Sequence, residues 1–182
     1  RIDYDKKEVH CVAKSGETFV EDYDKLILAT GSVPISPEVP GRDLENIHFL
    51  KRFQDGKAVD EILSADNIQN VAVIGAGYIG VEIAEAAKRR GKNVLLFDAM
   101  KRSLPSYYDK WFTDDMDTIL SEHGIDLHFG ELAKEYKGEV KVESIVTDKG
   151  EYSVDLVINA IGFLPNNELG KDHLELFKNG AY

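Results

Sequence analysis

Val71-Ala72-Val73-Ile74-Gly75-Ala76-Gly77-Tyr78-Ile79-Gly80-Val81-Glu82 is the stretch that decides the fold. Four apolar, mostly β-branched residues run directly into G-x-G-x-x-G, and a helix-forming pattern follows at once. The glycine pattern alone is common. It gains meaning when a strand enters it and a helix leaves it. Gly75 permits the tight turn, Gly77 lets a pyrophosphate approach the backbone, and Gly80 lets the helix pack closely on the strand. The first helical turn, which includes Ile79, then offers unpaired N–H groups and a partial positive charge to phosphates. A glycine-rich turn that binds nothing would need only the turn itself.

Working outward, the pattern predicts a helix over 78–90, stopped at Gly91, and a second strand at Val94-Leu95-Leu96-Phe97 ending in Asp98. Asp98 stands eighteen residues beyond Gly80. At that place a carboxylate accepts hydrogen bonds from the adenine ribose hydroxyls and repels a 2′-phosphate. The expected ligand is therefore NAD(H) rather than NADP(H), with Lys101 and Arg102 near enough to soften the preference. The bland reading of Asp98 is an ordinary turn cap.

Further out, helices are expected over about 52–65 and 109–123, the second presenting Phe112, Met116, Ile119 and Leu120 on one face. A third strand holds Leu127 and Phe129. A β-rich stretch follows, with short strands around Val140, Ile145-Val146 and Tyr152, and then a buried strand at Leu156-Val157-Ile158. Alternating strands and helices imply an α/β, Rossmann-like domain: a parallel sheet with helices and a β-meander as one crossover. Residues 1–31 read as β, with strands at 8–12 and 18–20 and a short buried strand at Leu26-Ile27-Leu28-Ala29. Pro34, Pro37, Pro40 and Gly41 mark a connection, and a domain boundary is expected there. Asp24-Lys25-Leu26-Ile27-Leu28-Ala29-Thr30-Gly31-Ser32-Val33-Pro34 is echoed by Asp155-Leu156-Val157-Ile158-Asn159-Ala160-Ile161-Gly162-Phe163-Leu164-Pro165. Both spell D-x-[LV]-I-x-A-x-G-x-x-P, unless two apolar strand ends merely look alike.

A net charge of −11 argues against a nucleic-acid partner, which needs a basic face. The apolar runs are strand-length, so no membrane span is expected. The single cysteine, Cys11, precludes a disulfide framework and fits a cytoplasmic setting. It lies in a predicted strand and reads as inert. His10, His48, His123, His128 and His173 show no metal-ligand spacing, and no metal site is expected.

These residues resemble the pyridine-nucleotide–disulfide reductase superfamily of flavoproteins along essentially the whole chain. Ala29-Thr30-Gly31 is similar to the motif where such chains leave the FAD domain, and Ala160-Ile161-Gly162 to the motif where they return. Residues 73–82 match the NAD motif. Tyr23 to Gly31, Val39-Pro40-Gly41 and Leu174 to Gly180 are most similar to the NADH oxidase, NADH peroxidase and coenzyme A–disulfide reductase branch. A water-forming oxidase is the favoured member. The resemblance implies that residues 1–37 and 163–182 are short pieces of an FAD-binding domain and that 38–162 bind NAD(H). It further implies that Tyr78 covers the flavin face, Glu82 lies near the nicotinamide amide, Tyr107 packs on adenine and Gly162 lies beside the nicotinamide. Thr30, Gly31 and Lys51 would lie near FAD. A homo-oligomeric parent with oxygen as acceptor is implied as well.

Only one G-x-G-x-x-G is present, and no C-x-x-C. The chain starts at Arg1 and stops at Tyr182, so it reads as the central piece of a larger flavoprotein, binding NADH without turnover. Two other classes remain open. A self-sufficient short-chain dehydrogenase would need Tyr-x-x-x-Lys, and Tyr107 and Lys110 are one residue too close. A non-catalytic NAD(H)-sensing module would need the glycine loop and Asp98 but not the echoed pair. Peroxidase and disulfide reductase remain alternatives within the branch.

Overall fold

The computed structural model describes residues 1–177, 180 and 181. Lys178, Asn179 and Tyr182 lie outside the described residues, so part of the expected 163–182 segment and of the Leu174 to Gly180 similarity falls outside them. The chain divides into two compact units, one of residues 34–162 and one of residues 1–33 with 163–182.

The split unit begins with β1 (Ile2–Asp3), β2 (Glu8–Val12) and β3 (Thr18–Asp22), an antiparallel meander in that order. Gly16, with φ +89°, makes the turn between β2 and β3. A short strand, β4 (Ser32–Pro34), ends this part. The strand expected at Leu26-Ile27-Leu28-Ala29 is absent. That stretch is irregular, and Ile27 is 88% exposed. A strand exists through its pairing, and no described strand lies beside this run.

The continuous unit opens with β5 (Ile47–Phe49) and α1 (Phe53–Leu63). Asp55 accepts the Arg52 N–H at 2.8 Å and starts the helix. Then come β6 (Asn70–Ile74), α2 (Tyr78–Arg89), β7 (Asn93–Asp98), α3 (Lys110–Glu122) and β8 (Ile125–Phe129). The antiparallel meander is β9 (Ala133–Lys137), β10 (Ser144–Thr147) and β11 (Glu151–Ser153), and the last strand is β12 (Leu156–Asn159). A five-stranded parallel sheet forms in the order β5-β12-β6-β7-β8. The fold is the expected α/β class: a parallel sheet with helices, its last crossover a β-meander.

Alternation along each strand sorts the core into two layers. Val71, Val73, Leu96, Leu156 and Ile158 face Val59, Leu63, Ala84, Ala87 and Leu120 of the helices. Ala72, Ile74, Phe97 and Val157 face Tyr136, Ile145 and Val154 on the meander side. Both faces of the central strands β12, β6 and β7 are covered, so these strands are apolar runs. Two expectations fail locally in this unit. Val140 lies in a bend and is exposed, and the meander strand lies earlier, at β9. On α3 the buried residues are Thr113 and Leu120, with Met116 partly buried between them, while Phe112 and Ile119 are about half exposed. β5 was not anticipated, because three residues centred on a histidine carry no periodic signal.

The split unit resumes with β13 (Phe163–Pro165), which pairs with β4, and closes with the pair β14 (Leu176–Phe177) and β15 (Gly180–Ala181). Among the described residues no helix is long and apolar enough to cross a membrane.

Candidate functional site

The carboxyl ends of β6, β7, β8 and β12 point to one side of the sheet, where chain order reverses about β6. Open α/β sheets bind ligands at such a place. A cavity of about 350 Å³ lies there, lined among others by Gly75, Gly77, Asp98, Tyr107, Glu131 and Gly162. Local geometry explains the glycines. Gly75 has φ +104°, and a Cβ on it would fall 2.6 Å from the Ala160 carbonyl oxygen. A Cβ on Gly80 would fall on the Gly75 carbonyl oxygen, so α2 sits on the loop as only glycine permits. Gly77 differs: nothing lies within 4 Å of where its Cβ would be, and it heads α2 without a side chain to cap the first-turn N–H groups. Open space, free donors and a helix dipole together fit a pyrophosphate.

Asp98 closes one side. Its Oδ2 accepts the Ala76 N–H at 2.6 Å and its Oδ1 accepts the Met100 N–H at 2.7 Å. Each oxygen keeps acceptor capacity for a ribose hydroxyl. Leu104, φ +47° and buried, donates its N–H to the Ala76 carbonyl at 2.8 Å, tying the 103–108 loop to the glycine loop. A leucine in the left-handed region is strained, and such strain collects at functional sites.

Not every candidate lines the cavity. Tyr78 and Glu82 line a neighbouring groove with Leu104, Tyr108, Phe112 and Met116. The Tyr78 ring lies 4.4 Å from that of Tyr107, and its hydroxyl donates to the Tyr108 hydroxyl at 3.0 Å. That bond raises the Tyr78 pKa. Ile79 and Gly80 sit in the first turn of α2 and line no cavity described here. Lys51 follows β5, and its N–H donates to Asp55 at 3.2 Å. Thr30 and Gly31 line a separate cavity of about 260 Å³ in the split unit, with Pro165, Asn166 and Gly170. Cys11 is half-buried on β2, its Sγ directed at the Val9 carbonyl. Asp3, Glu8 and His10 bring ligand atoms within 4.8 Å across the β1–β2 pair, a grouping that sequence spacing hides. Lys6 already holds Asp3 there.

Sequence reasoning missed Glu131. Its side chain is 3% exposed, yet the residue borders the cavity. Its carboxylate accepts from Thr147 Oγ1 at 2.5 Å and Tyr152 OH at 2.9 Å, and meets His128 Nδ1 at 3.2 Å. Burial alone would raise its pKa. The bonds from Thr147, Tyr152 and His128, with the His128 charge, outweigh burial and hold it below the ordinary carboxylate value. In the core on the meander side of the sheet, Tyr136 donates to Asn159 Oδ1 at 3.0 Å, and burial pushes the Tyr136 hydroxyl up to about 12.

Fold and site together define an α/β unit with a glycine-lined cavity at the carboxyl ends of its parallel strands. The sequence profile of the pyridine nucleotide-disulphide oxidoreductases matches residues 1–182, and the chain belongs to that family. It is 59% identical to an NADH oxidase of Lactococcus lactis subsp. cremoris over 182 residues, 99% of this chain and 41% of the relative. The water-forming NADH oxidase of Lactobacillus brevis bound to NADH superposes with TM-score 0.92 at 38% identity, over 99% of this chain and 40% of that one. An engineered water-forming NADPH oxidase bound to NADPH superposes with TM-score 0.91 at 36% identity, with the same coverage. The chain thus spans about two fifths of the length of these relatives.

Proposed function

We propose that this chain is the NADH-binding part of a flavoprotein NADH oxidase, which passes hydride from NADH to FAD and reduces oxygen to water. Residues 38–162 form the NADH-binding domain, and residues 1–37 and 163–182 belong to the FAD-binding domain. The cavity that joins Gly75, Gly77, Asp98, Tyr107 and Gly162 carries the reading. Pyrophosphate lies against Gly77 and the first turn of α2, with Ile79 and Gly80 shaping that turn. Asp98 takes the adenine ribose, Tyr107 packs on adenine, and Gly162 lies beside the nicotinamide. Tyr78 and Glu82 serve the nicotinamide end and the flavin face, while Thr30, Gly31 and Lys51 lie near FAD. The flavin, when bound, supplies the two-electron acceptor and the oxygen chemistry; these residues bind and orient the donor.

The engineered relative supports the choice of NADH. Its described substitutions fall on a glycine, an aspartate eighteen residues later followed by alanine and methionine, and a proline five residues beyond. The same residue types stand here at the same spacing as Gly80, Asp98, Ala99, Met100 and Pro105. There the acid is removed and two arginines are added in an enzyme described as bound to NADPH.

Oxygen uptake by the full-length protein with NADH as donor tests the reading. Two NADH consumed per oxygen, with no peroxide, is the expected result; absence of oxygen uptake overturns it. The 182-residue chain alone is expected to bind NADH without oxidising it. Flavin-free NADH oxidation would show a self-sufficient dehydrogenase instead.

A further inference from the structure

We propose that Glu131 is a positioning residue for the adenosine end of NADH, fixing the tip of β7 so that Asp98 meets the ribose in one geometry. The inference rests on the NADH-binding reading above. Glu131 follows Gly130, which turns the chain at the end of β8 with φ +63°. Its backbone N–H donates to the Asp98 carbonyl at 3.0 Å, and the Gly130 N–H donates to the Met100 carbonyl at 2.8 Å. These two bonds hold the backbone of residues 98–100, while the Asp98 carboxylate is held by the N–H groups of Ala76 and Met100.

The Glu131 side chain runs the other way, into the protein. Its donors come from three strands: His128 on β8, Thr147 on β10 and Tyr152 on β11. Tyr152 and His128 also pack on each other and on Phe97 of β7, with ring centroids 4.6 to 5.4 Å apart. Lys149 brings an ammonium to 4.0 Å from the carboxylate, and Asp126 lies 3.1 Å from the far nitrogen of His128. The crossover sheet therefore grips one end of Glu131, and the other end grips the loop carrying the ribose acid.

A buried carboxylate is an expensive way to fill space. Apolar residues of similar volume often serve stability as well or better. What a fully bonded carboxylate adds is a single fixed arrangement. Ligand groups need that arrangement, because an acceptor held out of place loses ground-state binding, and such a loss raises KM while leaving kcat unchanged. The neighbours Leu132 and Ala133 continue the cavity wall, so the residue sits where such precision acts on the ligand.

Steady-state kinetics of the full-length flavoprotein test this. Glu131→Gln keeps the shape and removes an acceptor. We expect the KM for NADH to rise about tenfold, the order of one weakened charge-assisted hydrogen bond, with kcat and flavin content unchanged and the preference for NADH over NADPH reduced. Thr147→Val removes one donor without reaching the cavity and shifts the same two quantities in the same direction by less; Thr147→Ser restores the hydroxyl and returns KM toward wild type. Lower melting temperatures for Glu131→Gln and Thr147→Val, with KM and the NADH/NADPH ratio unchanged, would make the network purely structural and overturn the inference. If Glu131→Gln does not fold, the Thr147 pair decides. Failure of the wild-type protein to bind NADH would instead bring down the functional reading itself.

Discussion

Residues 24–34 and 155–165 spell the same pattern, D-x-[LV]-I-x-A-x-G-x-x-P, and the structure treats them differently. In the second copy, Leu156 to Asn159 form β12, buried throughout and paired in parallel with β5 on one side and β6 on the other. In the first copy, Leu26 to Ala29 form no strand, and Ile27 is 88% exposed where its counterpart Ile158 is fully buried. After the glycines the copies converge. Ser32–Pro34 and Phe163–Pro165 pair with each other as β4 and β13, and both Gly31 and Gly162 have positive φ. The pattern encodes a strand that needs neighbours on both sides and then a glycine turn. Where neighbours stand, the apolar run becomes a strand; where none is described, only the turn persists. The split unit as a whole makes the same point: among its residues 1–33 and 163–176 Gly170 alone is buried, whereas the continuous unit carries two apolar layers.

The comparison breaks most sharply at its isoleucines. Ile158→Ala should destabilise the chain by about 2–5 kcal/mol in denaturant unfolding, because it empties a packed site. Ile27→Ala should change stability by less than about 0.5 kcal/mol. Equal effects would mean that the copies are equivalently packed in solution. The aspartates give a smaller contrast. Asp155 Oδ2 accepts the N–H groups of Gln69 and Asn70 at 2.9 and 2.8 Å, fixing the entry of β6. Asp155→Ala should cost about 1–3 kcal/mol, and Asp24→Ala again less than about 0.5 kcal/mol. A neutral Asp155→Ala would show that β6 is registered by its ladder alone.

How much of this was legible follows the length of the signal. The apolar run 71–74, its glycines and the helix after them are local and periodic, and they became β6 and α2 within a residue of expectation. β9 was hidden because Ala133-Lys134-Glu135-Tyr136-Lys137 buries only Tyr136 fully and reads as polar. Phe112 and Ile119 misled because hydrophobicity marks what could be buried, while the width of the contact on α3 decides what is. In the site, single letters with a backbone role, such as the glycines, could be read directly. Glu131 could not, because its meaning lies in donors up to 21 residues away in sequence, and an acid beside a glycine after a strand looks like any turn. Leu104 carries its role in a dihedral angle that its letter disfavours.

The smallest effect probes the neighbours that make the second copy a strand. His48 lies on β5, opposite Ile158, and is half-buried. Burial lowers its pKa, so the folded chain favours the neutral ring. The sign follows: below the ordinary histidine value, about 6.5, the unfolded chain takes up a proton that the folded chain resists. The stability contributed by neutral His48 is therefore complete above that value and is lost as pH falls through the lower folded pKa. His48→Gln carries no titrating ring. The difference in unfolding free energy between wild type and His48→Gln should shift against wild type as pH falls from about 7.5 to 5, with a slope below that of one full proton. Groups common to both proteins cancel in the difference. A difference independent of pH would mean that β5 leaves the His48 ring hydrated.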